Sequence, residues 1–231
     1  MMVRRIAGGA VVAGMVWLSG CALAAEGVGD AALAKAQIQD TSRKVIALFK
    51  NPALTKLENR DALVSELRAV LDERFDWPTI GRWVLATNRS LFSDAQIDEF
   101  AKLFADYAVL YYLTQIKQNV TGDDPALVDQ VRIEYRDGKL RDDGSLTIDV
   151  LFTSPKGAQV VTGYTLVYEK GGASWRVRNF SVEGVSIVRN WRTELAPIRS
   201  REKILALLNG KVAELRAALA APAVKQPGDG G

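Results

Sequence analysis

The chain changes hydrophobic period about halfway along. From about residue 30 to residue 118 apolar positions recur at helical spacing; from about residue 128 to residue 182 they alternate, as in strands with one buried face. The helical half opens with a predicted helix over residues 30–50. A second, over residues 59–74, carries Leu63, Leu67, Val70 and Leu71 as one stripe. Asn51-Pro52 separates them, because proline disfavours helix in the residue before it. Pro78 suits the first turn of a short helix over residues 79–86. The longest predicted helix covers residues 94–118, with Ser93 as N-cap and Gln96 at the capping-box spacing. Its apolar residues cover well over half the circumference, so it is expected to be packed on several sides.

The alternating half reads as a meander. Val131, Ile133 and Tyr135 lead to the turn Asp137-Gly138, and Leu146, Ile148, Val150 and Phe152 lead to Ser154-Pro155-Lys156-Gly157. Val160, Tyr164, Leu166 and Tyr168 lead to Gly171-Gly172, and Trp175 and Val177 begin the last strand. Such short turns join antiparallel neighbours. A final helix over residues 200–220 carries Ile204, Leu207, Leu208, Val212 and Leu215. The expectation is an α+β fold, a helical half packed on a four-stranded antiparallel, curved sheet. The wedge between the layers is either filled by side chains or left as an apolar cavity.

Composition narrows the chemistry. The chain has no histidine, which removes histidine triads, histidine metal ligands and histidine bases together. Its one cysteine, Cys21, allows no intramolecular disulfide. Asp123-Asp124 and Asp142-Asp143 sit beside Pro125 and Gly144, where aspartate serves turns. Glu183 reads as a buried partner for Arg192 rather than as a base. No catalytic or metal site is predicted, and the protein is read as not an enzyme. Asn88 and Asn119 match glycosylation triplets, which are common by chance.

The first residues are read as export signal rather than fold. Arg4 and Arg5 precede an apolar run from Ile6 to Leu18, too short to span a bilayer. The following LSGCALAA holds two cutting instructions. As a lipobox, it makes Cys21 a lipidated first residue; as a small-residue site, it releases the chain after Ala24. Cleavage after Ala24 leaves 207 of the 231 residues and a net charge near +1 in place of +3. So neutral a body argues against nucleic-acid binding. The organisation expected is a signal peptide over residues 1–24, one domain over residues 30–220 and a disordered tail over residues 221–231.

Aromatic residues gather where the halves should meet. The most distinctive run is WRVRNFSVEGVSIVRNWRTE, residues 175–194, and FDWPTIGRWVLATNRSLFSDAQIDEFAKLF spans residues 75–104. Both resemble segments of the MlaC, or toluene-tolerance, family of periplasmic phospholipid-binding proteins, in the same order and with four strands between them. The resemblance covers roughly residues 41–208; Trp77-Pro78 departs from the usual motif. It implies a periplasmic carrier with bound phospholipid as ligand and no cofactor, enclosing acyl chains in an apolar cavity. It also implies a shuttle between an outer-membrane lipoprotein complex and an inner-membrane ABC transporter with its MCE-domain subunit, maintaining lipid asymmetry. A free shuttle favours cleavage after Ala24 over lipidation.

On that reading the predicted lipid-binding residues are Trp83, Val84, Phe100, Phe104, Tyr107 and Tyr111 from the helices. Strand alternation adds Val150, Phe152, Tyr164, Leu166 and Val177, and the segment after Gly184 adds Val185, Ile187 and Val188. A single bulge would invert part of this inner-face assignment. Three alternatives stay open: a hopanoid or other lipid as cargo of a lipoprotein, a cavity enzyme with Glu183 or Asp149 as base, and an adaptor with a filled core.

Overall fold

Among the described residues, five α-helices come first, then six strands, then two more helices. The computed structural model describes residues 30–116, 125–155 and 157–221. The predicted signal segment, the Asp123-Asp124 pair, Asn119 and nearly all of the predicted tail lie outside the described residues. α1 (Ala31–Lys50) starts where Asp30 accepts a hydrogen bond from the Ala32 amide at 2.8 Å. α2 (Pro52–Thr55) follows under the Asn51 cap, then α3 (Arg60–Asp72) and α4 (Trp77–Leu85). α5 (Asp94–Ile116) opens on the predicted capping box: the Ser93 amide donates to Gln96 Oε1 at 2.9 Å, and the Gln96 amide donates to Ser93 Oγ at 3.4 Å.

α4 begins two residues earlier than its periodicity suggested, because Asp76 rather than a later residue is its N-cap. The Thr79 amide donates to Asp76 Oδ1 at 3.2 Å, and Arg178 Nε donates to Oδ2 at 2.8 Å. Burial works to raise this carboxyl, but the hydrogen bonds from Thr79 and Arg178 outweigh it and hold Asp76 below its ordinary value. A depressed carboxyl stabilises the fold above its unfolded-state value, and that contribution is lost as pH falls through the folded one. Asp76→Asn is therefore expected to be less stable at neutral pH by about 1–3 kcal/mol, the worth of hydrogen bonds to a charged group. The gap to the parent should close on acidification through the carboxylate range. Denaturant midpoints measured across pH check this, and a pH-independent gap would contradict it.

The sheet comprises β1 (Arg132–Tyr135), β2 (Lys139–Leu140), β3 (Leu146–Thr153), β4 (Gln159–Glu169), β5 (Ser174–Val182) and β6 (Val185–Ser186). All neighbours are antiparallel, in the order β1-β3-β4-β5-β6, with β2 also on β3. The four long strands are the predicted ones. β2 and β6 are two residues each, too short to leave an alternating pattern. The Asp142–Ser145 turn joins β2 to β3: Asp143 Oδ1 accepts from the Ser145 amide and hydroxyl at 2.9 and 2.6 Å, the turn duty expected of it. Glu183-Gly184, with φ of 50° and 76°, forms the tight β5–β6 turn.

One bulge shifts the inner face. Thr165 pairs with Asn179 but Leu166 pairs with Val177, so Arg178 is the extra residue and both Val177 and Phe180 point inward. Strict alternation from Val177 would instead have turned Asn179 inward.

The two sequence segments that carry the family resemblance are physically joined. Asp76 N–H donates to the Val177 carbonyl and Val177 N–H to that of Arg74, each at 2.9 Å, so Arg74–Asp76 runs alongside β5. Arg176 donates to the carbonyls of Asp72, Glu73 and Phe75 and so caps α3, whose last carbonyls have no partner within the helix. Trp175, fully buried, holds α1 to the sheet: its indole donates to the Asp30 carbonyl at 3.0 Å, and its amide to Gln37 Oε1 at 3.1 Å.

After β6 the chain becomes helix, α6 (Ile187–Leu195), then α7 (Arg201–Ala220). α6 was not foreseen. Ser186 caps it, accepting from the Arg189 amide at 3.1 Å, and Trp191 is buried against α5. The main core joins α1, α4, α5, α6, α7 and the sheet, and a second apolar cluster, centred on Leu63, Leu67, Leu110 and Leu113, joins α3, α5 and α7.

α4 and α5 touch at Gly81, where an added methyl would lie 2.8 Å from Ala101 Cβ. Gly81→Val is expected to push the helices apart and cost about 1–3 kcal/mol, the usual range for overpacking. A thermal melt reads it, and an unchanged midpoint would mean the crossing relaxes freely.

Candidate functional site

One end of the wedge between helices and sheet is empty. The cavity holds about 220 Å³ of space for the centres of water-sized molecules. Its helical wall is a stripe along α1: Ile38, Thr41, Ser42, Val45, Ile46 and Phe49. These positions recur every three or four residues, so one face of the helix is turned to the void. Leu67 and Leu71 of α3 and Val109, Tyr112, Leu113 and Ile116 of α5 close the side. The sheet contributes its inner positions Ile133, Phe152, Val160, Thr162, Tyr164 and Val182, which stand in register across β1, β3, β4 and β5.

No lining residue is charged. Three of the wall's hydroxyls are used locally, while that of Tyr112 is buried without a partner. Thr41 donates to the Gln37 carbonyl and Ser42 to that of Ile38, each at 3.0 Å, and Ser154 Oγ accepts from the Ala158 amide at 3.1 Å. Burial pushes the phenols of Tyr112 and Tyr164 well above their ordinary value, with neighbouring tyrosines adding to it, so both stay neutral. A void lined mostly by aliphatic side chains and neutral rings offers water few partners; it suits hydrocarbon.

Of the residues predicted to bind lipid, Phe152 and Tyr164 stand on this wall. Val150, Leu166 and Val177 are on the same inner face, each beyond the last lining position of its own strand, and are completely buried. Val84, Phe100 and Phe104 are fully buried, and Phe104 and Tyr107 meet Trp191 edge-on at 5.8 and 4.7 Å. Tyr111 stacks on Tyr107 at 6.0 Å beside them. Ile187 and Val188 are buried in the first turn of α6, and Val185 and Trp83 are exposed. The physical reasons are two. α6 turns the segment after Gly184 away from the void, and Trp83 falls off the buried stripe of α4 formed by Trp77, Ile80, Gly81, Val84 and Leu85.

What the periodicity missed is α1. Its lining stripe stands in the sequence as Ile38, Val45, Ile46 and Phe49 at helical spacing, interrupted by Thr41 and Ser42. Phe180 was hidden by the bulge.

The expected pairing of Glu183 with Arg192 does not form. Both are exposed, and the Glu183 carboxylate instead accepts from the Val161 amide, bracing the β5–β6 turn. Asn88 is buried, donating to the Leu195 carbonyl at 2.7 Å and accepting from Arg199, so its triplet presents no free amide for a glycan. Among the described residues no cluster of histidine, cysteine, aspartate or glutamate could hold a metal, and no helix is long and apolar enough to cross a membrane.

Comparison places this architecture among known ones. A search of curated proteins finds no match. The structure resembles that of the phospholipid-binding protein from Ralstonia solanacearum, solved in complex with a phospholipid. The TM-score is 0.60 at 17% identity, over 81% of this chain and 99% of that one. At that identity the likeness speaks for the fold. The family model of the MlaC protein matches residues 39–210, which include all of the α1 wall but Ile38, the whole sheet and both segments singled out in the sequence. The chain belongs to the MlaC family.

Proposed function

We propose that the protein is a periplasmic phospholipid carrier that holds acyl chains in the cavity beneath α1. The observation that carries this reading is the wall itself, predominantly apolar and uncharged. Membership of the MlaC family and the phospholipid held by the Ralstonia solanacearum protein support it. Two acyl chains of about 15 methylenes each represent roughly 24 kcal/mol of transfer energy, at about 0.8 kcal/mol per methylene. Water does not accept such a chain at that cost, whereas a dry cavity matches the bilayer interior closely enough for loading and release to be reversible. The headgroup stays in water at the mouth, so the site calls for no fixed charge.

Residues 30–220 act in this reading as one lipid-binding unit. It exchanges lipid with an outer-membrane lipoprotein complex and with the MCE-domain subunit of an inner-membrane ABC transporter, and so maintains lipid asymmetry. The work is binding and not catalysis: neither Glu183 nor Asp149 lines the cavity, and the ionisable groups that do are phenols kept protonated by burial. Native mass spectrometry of the protein purified from its own compartment tests the reading. A co-purifying phospholipid is expected; protein that is lipid-free and takes up none from vesicles would overturn it. A hopanoid in its place would keep the carrier and change the cargo. The same spectrum weighs the N-terminus and so separates release after Ala24 from lipidation at Cys21.

A further inference from the structure

The cavity reaches deepest at Tyr164, and that limit has a consequence for the cargo. On β4 the inward residues Val160, Thr162 and Tyr164 line the void, but the next one, Leu166, does not. On β5 Val182 lines it and Phe180 does not; on β3 Phe152 lines it and Val150 does not. By register the void reaches deepest on β4, to Tyr164: Phe180, opposite Tyr164 on β5, and Val150, opposite Thr162 on β3, already lie outside it. Phe75 closes this end from the helical side, edge-on to Tyr164 at 6.4 Å. Behind it Phe75 is stacked on Trp77 at 4.8 Å and meets Phe180 at 5.7 Å, so the floor rests on packed rings. Exposure marks the opposite end as the mouth. Ile38, Phe75 and Thr162 near the floor are buried, whereas Phe49, Ile116, Val160 and Phe152 are partly exposed, as is Tyr164 itself.

We infer that the Tyr164–Phe75 layer is a gauge that sets the length of acyl chain the protein carries; this rests on the carrier reading above. From Ile38 to Phe49 the α1 wall is about 16 Å long at the helical rise of about 1.5 Å per residue. From Tyr164 to Ala158 the β4 wall is about 20 Å at about 3.3 Å per residue. An extended hydrocarbon chain advances about 1.25 Å per carbon, from bonds of about 1.5 Å at tetrahedral angles. The depth therefore takes chains of about 13–16 carbons, and longer ones must fold back or leave carbons outside the mouth.

The test removes or raises the floor. Vesicles made of an equimolar mixture of diacyl phosphatidylethanolamines, with saturated chains of roughly 10 to 20 carbons that bracket the expected depth, are incubated with the full-length mature protein. The protein is re-isolated and its bound species are read by mass spectrometry. The parent is expected to enrich the chains of about 13–16 carbons. Tyr164→Ala should shift the profile longer by about two to four carbons, the room a phenol ring leaves. Thr162→Phe, which fills the next inward position towards the mouth, should shift it shorter by about five, one pleat repeat of roughly 6.6 Å. If Tyr164→Ala does not fold, Tyr164→Leu gives the same direction with a smaller shift. Profiles that stay at the parent's position in every folded variant would overturn the gauge while leaving the carrier intact. Absence of lipid from the parent and all variants would overturn both.

Discussion

Trp191→Ala is expected to destabilise the protein by about 3–5 kcal/mol, the range for removing a large aromatic from a closed core. Trp191 is 1% exposed and meets the rings of Phe104 and Tyr107 edge-on. Its loss would leave a hole that α6 cannot collapse into, because α6 is tied at its start by the β5–β6 turn and at its end by Asn88 holding the Leu195 carbonyl. Against a total stability of about 5–15 kcal/mol this is a large share, so a substantial fall in the denaturant midpoint is expected. A loss below about 1 kcal/mol would show that the aromatic ladder of α5 and α6 is not the structural core described above. The companion variant Phe104→Leu separates structure from cargo. Because Phe104 does not line the cavity, the variant should lose stability yet carry as much lipid per folded molecule as the parent.

Val45→Asp is expected to have the opposite signature: a fold kept and a cargo lost. Val45 lies in the middle of the α1 stripe, half-buried beside the void, where it packs against the edge of the second apolar cluster. An aspartate there costs a few tenths of a kcal/mol in helix propensity, which the fold tolerates. Its short side chain cannot reach water past the helix, so it brings a carboxylate and its hydration into the space meant for hydrocarbon. Bound phospholipid should fall by more than about tenfold, equivalent to about 1.4 kcal/mol or more of lost affinity. Quantifying lipid per mole of folded protein reads this directly. Retention of the parent's lipid content would place the chains somewhere other than under α1. Lys44 and Lys50, on the same helix, pair with Glu73 and Asp129 at the surface and provide control positions whose removal should leave lipid content unchanged.

Much of the architecture was legible because its signals are local. Asp30, Asn51, Ser93 and Ser200 each accept a backbone amide at the start of their helices, and such caps depend on residues two or three apart. The alternation that marked β1, β3, β4 and most of β5 is likewise a property of consecutive residues. α6 escaped notice because its nine residues follow a two-residue strand with no linker, and its buried positions Ile187, Val188, Trp191 and Leu195 read equally well as a continuing apolar strand. Ser186 is the signal that distinguishes the two, a hydroxyl at the N-cap position three residues before Arg189.

The placement of the void was not legible in the same way. Phe104 and Tyr164 look alike as aromatic residues on inward faces, yet one is sealed among rings and the other borders empty space. What separates them is the distance between layers, which depends on how α6 fills the space above the near end of the sheet and on where the Arg178 bulge turns Phe180 inward. Periodicity says which face a residue occupies; it carries no information about what stands opposite. By itself the sequence determined the order of helices and strands, the inner face of most of the sheet, the absence of histidine chemistry and the family resemblance. Only the tertiary structure decided that the empty end lies under α1, because a cavity is a volume that distant segments fail to fill, and no local pattern encodes it.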